Sequence, residues 1–388
     1  MGKLRPIMVK GHTRPLTMVK YNREGDLLFS TGKDHTPSVW YSDNGERIGT
    51  YDGHNGTVWC LDINCALLLP PAPPQPRVTM PAAPHAPTPA PLASLRGPPA
   101  HQPSCALRVA VDSTKLLTGS ADNYCKLWEV RTGECLHTWK HTAPVRSVGF
   151  AIGDKQFLTV LDNIMGNTPT IFVWDLELDN LANHPDCPKL TIVGHTNKVN
   201  RALWGHTNER IYSGSDDTTI RMWDAKTGEM MHMIEGEHGK RVSDMQWNTE
   251  GTLLVTSSQD QWVRIFDKNL NLLKKYDTER PLNSACLSPL PNCPYLIAGG
   301  GQDAMAVTTT AAGQGHFESV FFDHVFDDEL GSVGGHFGPI NTLAFSPLGR
   351  SFASGGEDGY IRIHHFPEDY YDAFEKKKDE AFGRTGGR

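Results

Sequence analysis

Short runs in which apolar and polar residues alternate recur along the whole chain. RVSDMQW at 241–247 and TIRMW at 219–223 are two of them, each bounded by Gly, Asn or Asp. A period of two sends successive side chains to opposite faces of a strand, and the punctuating residues turn a chain tightly. The pattern predicts many short strands joined by tight turns.

The strands come in units. A Gly-His pair or a relative opens each one, and an Asp follows 22 positions later: His12 to Asp34, His195 to Asp217, His238 to Asp260, His336 to Asp358. Six residues beyond the Asp stands Trp40, Trp223, Phe266 or His364, and Asp122 with Trp128 keeps that second interval. A repeat of about 40 to 45 residues with Gly-His and Trp-Asp marks is the signature of four-stranded propeller blades. A blade cannot bury both faces alone, so it stacks on its neighbours around a ring.

The spacing predicts one hydrogen-bonded chain inside each blade, seen most fully in the fourth repeat as His195, Ser213, Asp217 and Trp223. Buried polar groups need partners, and a satisfied network fixes strand register. His54, Asp122 and Trp128 are expected to build the same chain in the second repeat, and His12, Asp34 and Trp40 in the first.

Seven openings are countable: Gly11-His12, Gly53-His54, Lys140-His141, Gly194-His195, Glu237-His238, a sixth unit without Gly-His at 280–310, and Gly335-His336. The fold class is therefore all-β, a seven-bladed WD-repeat propeller over residues 1–366. The seventh unit runs out of strands after YIRIHHF at 360–366, and LRPIMVK at 4–10 is a strand without a blade. Pairing the two closes the ring and leaves no long unpaired edge.

One stretch breaks the period. His54 and Asp122 are 68 positions apart, and residues 63–108 are extra, rich in Pro and Ala and free of acidic residues. Such a composition builds no core, so a disordered insertion in blade two is expected. Three readings of it stand: a loop between blade strands, a ligand for a proline-binding module, or untranslated sequence retained in a gene model. Residues 367–388 read as a mixed-charge tail.

Net charge is −7, which argues against a general electrostatic grip on nucleic acid. No apolar run reaches the ~18 residues that span a bilayer. The start leads straight into the first repeat, so no signal peptide is expected, and Pro6 stands where a myristoylation motif needs Ser or Thr. The eight Cys have no paired spacing, which predicts reduced thiols and no zinc site. No phosphate-binding GxxxxGK[ST] loop, HExxH pair or nucleophile elbow occurs, so neither catalytic residues nor a cofactor are expected.

Several stretches carry a resemblance: TGSADNYCKLWEVRTGE at 118–134, RPLNSACLSP at 280–289, GGGQDAMAVTTT at 299–310 and GGEDGYIRIHHF at 355–366, together with 21–60 and 336–349. In these the chain resembles the WD-repeat subunit i of eukaryotic translation initiation factor 3. The likeness spans both ends and most of the middle, leaves out 63–108, and is weakest over 150–200. It implies a cytoplasmic, non-catalytic scaffold that holds a C-terminal helix of subunit b, contacts subunit g, and supports messenger RNA recruitment and scanning on the small ribosomal subunit. Direct sequence-specific nucleic-acid binding is not expected.

Carried over by motif, the subunit b contact falls on blades five and six. Ile265 and Asp267 in WVRIFD are then an apolar anchor beside an acid, suited to a helix with one apolar stripe and a basic residue. Both also suit structural roles, Ile265 by its core parity and Asp267 at the ordinary Trp-Asp position. Arg280, at a strand entry, and Gln302 and Asp303, in a Gly-rich turn, are the further candidates, with compensation for the missing sixth-blade His as the competing reading. Beside the initiation scaffold stand three alternatives: a generic WD-repeat adaptor for a signalling complex, a channel enzyme, and an RNA binder.

Overall fold

A computed structural model describes residues 5–64, 113–163, 168–178, 181, 187–290, 293–301 and 317–367. Among the described residues the first strand is β1 (Ile7–Lys10). Blade one is β2 (Leu16–Tyr21), β3 (Leu27–Gly32), β4 (Ser38–Tyr41) and β5 (Arg47–Thr50); blade two is β6 (Val58–Ile63), β7 (Lys115–Ser120), β8 (Tyr124–Glu129) and β9 (Cys135–Lys140). Blade three is β10 (Val145–Phe150), β11 (Gln156–Leu161), β12 (Thr170–Asp175) and β13 (Leu190–Val193); blade four is β14 (Val199–Trp204), β15 (Arg210–Ser215), β16 (Ile220–Asp224) and β17 (Met230–Ile234). Blade five is β18 (Val242–Trp247), β19 (Leu253–Ser258), β20 (Trp262–Asp267) and β21 (Leu272–Asp277); blade six is β22 (Leu282–Leu287), β23 (Tyr295–Gly300), β24 (Glu318–Asp323) and β25 (Asp328–Gly334). Blade seven is β26 (Ile340–Phe345), β27 (Ser351–Gly356) and β28 (Tyr360–His365), completed by β1 as its outer strand.

Six sheets are antiparallel meanders and the seventh is antiparallel with β1 added at its edge; the innermost strands touch in the order β2, β6, β10, β14, β18, β22, β26 and back to β2. The seam joins Ile7 to Ile363, Met8 to Arg362, Val9 to Ile361 and Lys10 to Tyr360. Val9 is buried there among Trp40, Ile361 and Ile363, so closure adds apolar burial to the backbone pairing.

The second strand is buried from end to end in blades one, six and seven, as in LLFSTG and YLIAGG, and at all but its first residue in the others, because neighbouring blades cover both of its faces. Its sequence accordingly loses alternation, whereas outer strands such as β9 and β21 bury a single residue each, Trp139 and Tyr276. Glycine before His has a packing cause. A Cβ on Gly11 would lie 1.9 Å from the Trp40 ring, and one on Gly194 2.9 Å from Trp223.

One expectation needs adjustment. The extra stretch does not begin at residue 63: Ile63 closes β6 opposite Leu116, and buried Asn64 donates to Asp154 at 2.9 Å and accepts from Lys115 N at 2.8 Å. Residues 65–108 of that stretch, like residues 368–388 of the tail, lie outside the described residues.

Every inner strand also carries a feature that its alternation does not announce. Pairing with the second strand skips one residue near the start, leaving Thr17, Trp59, Arg146, Asn200, Ser243, Asn283 and Asn341 as bulges. A bulge re-aims its side chain out of the ladder. These seven side chains line one mouth of the central channel.

Candidate functional site

The blade tetrads contain the only Ser–His–Asp geometry seen among the described residues. In blade four His195 Nδ1 lies 2.8 Å from Asp217 and its Nε2 2.7 Å from Ser213 Oγ, which also receives the Trp223 indole N–H at 2.8 Å. Blade one repeats this with His12, Asp34, Ser30 and Trp40 at 2.7–2.8 Å. Blade two does so with His54, Asp122, Thr118 and Trp128, all at 2.8 Å. A carboxylate only accepts and an indole N–H only donates, so Nδ1–H gives to Asp and the hydroxyl gives to Nε2. The connectivity matches a hydrolase triad, but Ser213 is 0% exposed and its oxygen already accepts from Trp223. No substrate carbonyl reaches it, and the triad acts as a structural lock.

The Asp carboxylates also cap the following turn, as where Thr196 N donates to Asp217 at 3.1 Å. Burial opposes ionisation of Asp122, yet the His54 hydrogen bond and charge prevail and hold its carboxyl down at about 2. Asp34, Asp217, Asp260 and Asp358 lie below the ordinary carboxylate range by the same balance.

Three blades vary the lock. In blade five Phe266 replaces the Trp, so Thr256 Oγ1 receives no indole proton. Arg264 Nη1 reaches both His238 Nδ1 at 2.8 Å and Asp260 at 2.9 Å, while Gly239 N donates to Asp260. A guanidinium only donates, so His238 Nδ1 must accept, and its proton sits on Nε2, facing Thr256 at 3.1 Å. The tautomer is the reverse of that in blades one, two and four. In blade seven His336 keeps Asp358 at 3.1 Å and Ser354 at 2.8 Å, but His364 stacks on Phe352 in place of the Trp. In blade three Trp174 still donates to Thr159 at 3.0 Å, but His141 Nε2 is buried without a partner. Asn163 stands 22 positions after His141, where a carboxylate is wanted, and its Oδ1 is buried and unpaired. Burial alone pushes the His141 imidazole down to about 4.

The partner candidates are distributed unevenly. Ile265 is 2% exposed, packed with Tyr276, Leu282 and Leu296 between blades five and six. It is a core residue and not a surface anchor, because the stacked blade covers its face. Asp267 sits at the rim and organises its own hairpin, accepting from Asn269 N and Asn271 N at 2.8 Å and from Asn271 Nδ2 at 2.9 Å. Burial works against its charge, and these bonds outweigh that to hold its carboxyl below the usual value. Arg280 is half-buried at the entry to blade six, where its carbonyl accepts from Thr278 Oγ1 at 3.0 Å. Gln302 and Asp303 lie outside the described residues.

Next to Asp267 the fold exposes apolar side chains that the alternation did not single out. Leu272 is paired opposite Phe266 and 38% exposed, Leu273 is 52% exposed, and Val325 in the blade-six hairpin is 49% exposed. Lys274 Nζ donates to His324 O at 2.7 Å and to Asp327 at 2.6 Å, and Tyr276 OH donates to Asp327 at 2.8 Å. The two rims are thereby stapled together, with an acid beside an apolar strip. The signal for the strip was two consecutive leucines in an outer strand, and both face solvent because the pairing with β20 skips Leu273.

At the opposite end of the chemistry, the bulged side chains clamp the ring. Thr17 Oγ1 donates to Val58 O at 2.6 Å, Asn200 to Val242 O at 2.7 Å, Asn283 to Ile340 O at 3.0 Å and Asn341 to Leu16 O at 2.9 Å. Sequence reading passed over these residues, although six of the seven stand five places after a repeat's His. Among the described residues no group of three or more His, Cys, Asp or Glu is placed to hold a metal ion, and no helix is long and apolar enough to cross a membrane.

Comparison with known proteins agrees with this architecture over nearly the whole chain. The family model described as EIF3I matches residues 101–376, and that of the WD domain, G-beta repeat matches residues 4–41. Eukaryotic translation initiation factor 3 subunit I of Bombyx mori is 40% identical over 370 residues, covering 95% of this chain and 98% of that protein. The proteins of the same name from Pyricularia oryzae and Nematostella vectensis are each 39% identical, covering 95% of this chain and 95% and 98% of theirs.

Proposed function

The chain belongs to the family of eukaryotic translation initiation factor 3 subunit I, and from that premise we propose that it works as a non-catalytic scaffold inside the initiation factor. It holds a C-terminal helix of subunit b, contacts subunit g, and through the complex supports messenger RNA recruitment and scanning on the small ribosomal subunit in the cytoplasm. The observation that carries this reading is the acid-and-apolar rim of blades five and six, Asp267 with Leu272, Leu273 and Val325. A helix with one apolar stripe and a basic residue fits such a rim, since helix-in-groove contacts draw affinity from a few apolar anchors and register from polar ones. The exposed leucines supply the anchor that buried Ile265 does not.

Co-purification of tagged subunit b with the full chain tests the reading. Leu273→Asp and Asp267→Lys should each cut recovery at least tenfold, since losing a central anchor costs about 2 kcal/mol or more. Leu273→Asp touches no hydrogen bond, so it separates loss of contact from loss of the Asp267 turn. Normal recovery with both variants would overturn the assignment of this rim.

A further inference from the structure

The channel mouth lined by the bulged residues is a cavity of about 590 Å³. Four of the seven bulged side chains spend their polar groups on the next blade's backbone. Trp59, Arg146 and Ser243 do not. The Arg146 guanidinium stands 4.5 Å from the centre of the Trp59 ring, and its Nε donates to Asp162 at 2.9 Å. Among the described residues neither Arg146 Nη nor the Trp59 indole N–H has a hydrogen-bond partner, and Ser243 Oγ is buried without one. Exposed Arg241 lines the same mouth with no ion pair among the described residues.

These free groups are alike in kind. The Arg146 Nη groups, the Arg241 guanidinium, the indole N–H and the Ser243 hydroxyl can all donate; the bulges of three blades aim three of them at one space that Arg241 also lines, and the charge of Arg146 is already shared with Asp162. The one acid lining the mouth, Glu357, is already taken by Lys33 at 3.0 Å and Asn341 Nδ2 at 2.8 Å. A donor-rich, cationic cavity with an aromatic floor recognises an acceptor-rich anion, and a planar carboxylate matches the guanidinium fork. The chain's net charge of −7 opposes a long polyanion, which favours a short acidic peptide over a nucleic-acid strand.

We propose that this mouth is a binding site for a carboxylate-bearing peptide segment, held by Arg146 and Arg241 over the Trp59 ring. It is separate from the blade-five rim and does not depend on it.

The test uses the full chain with indole-15N-labelled tryptophan. The probes are a capped decapeptide of alternating Asp and Gly, the same peptide with Asn for Asp, and a ten-residue oligouridylate. The Asp peptide should shift the Trp59 indole resonance, identified by its loss in Trp59→Phe, and should bind at least tenfold tighter than the Asn peptide. Arg241→Gln and Arg146→Gln should each weaken binding several-fold, and raising salt should weaken it in the unmodified chain. Arg241→Gln alters only an exposed side chain, so it keeps the test meaningful if Arg146→Gln unfolds. Equal binding of the two peptides, no shift at Trp59, or tighter binding of oligouridylate than of the Asp peptide would each overturn the proposal.

Discussion

His54 and Asp122 are 68 positions apart in the chain and 2.8 Å apart in the fold. The bond has the same length as that between His195 and Asp217, whose partners are 22 positions apart. What fixes it is the ladder of β6 on β7, which sets Val58 opposite Ser120 and Ile63 opposite Leu116, whatever length of chain joins the two strands. Loop length enters stability only logarithmically, at about 0.6 kcal/mol per doubling.

Joining residue 64 to residue 113 through a short Gly/Ser linker is therefore expected to leave the fold intact, with a melting temperature equal to or slightly above that of the full chain. Differential scanning calorimetry checks this. A large fall would mean that 65–112 supplies contacts to the blade.

Removal of residues 1–10 takes the outer strand from blade seven and uncovers Ile361, Ile363 and Trp40. Burying Val9 and pairing β1 are together worth about 2–3 kcal/mol, so the melting temperature should drop by roughly 3–5 °C. An unchanged melting curve would defeat the closure role. Asn341, whose amide also crosses the seam to Leu16, keeps the ring partly joined.

The histidines of blades three and four should respond differently to removal. His195→Leu leaves Asp217 and Ser213 without their partner and should cost about 2–3 kcal/mol. His141→Leu removes an imidazole whose Nε2 has no partner and should cost under about 1 kcal/mol at pH 7.5. Urea denaturation of the two variants side by side measures the contrast.

The same asymmetry sets a pH dependence. His141 is held neutral in the fold, with its pKa lowered from 6.5 to about 4, so between those values the unfolded chain binds more protons. Its stability contribution is complete above pH 6.5 and is lost as pH falls towards 4. Asp122 is lowered from 3.8 to about 2, so its contribution is complete above the unfolded value and is lost as pH falls from about 4 towards 2. His141→Leu should make the upper window shallower without abolishing it, since burial also holds His195, His238, His324 and His364 below the ordinary imidazole value, and should leave the lower window unchanged, as read by melting temperature against pH.

In blade five, Phe266→Trp would bring an indole N–H towards Thr256 Oγ1, which already faces the protonated Nε2 of His238. Arg264 on Nδ1 blocks the other tautomer. The substitution should destabilise by about 1–3 kcal/mol, part of it steric, and adding Arg264→Gln should recover some of the loss. A double-mutant cycle with no coupling between positions 264 and 266 would reject this account.

The tetrads of blades one, two and four, the seven units and the closing strand are all legible in the linear chain. The partners inside a blade recur at fixed offsets, and a four-stranded meander turns fixed offsets into fixed distances. Three kinds of feature needed the folded structure, one of them inside blade five and two in the assembled ring. The burial of Ile265 and the exposure of Leu272, Leu273 and Val325 follow from which face the neighbouring blade covers. The reversed tautomer of His238 follows from Arg264 reaching in where an indole is missing. The channel mouth follows from bulges on seven separate strands converging on one axis. Sequence determined what recurs at fixed offsets within a blade; the one lock that departs from those offsets, and the contacts between blades, set by how whole sheets stack, were decided only in three dimensions.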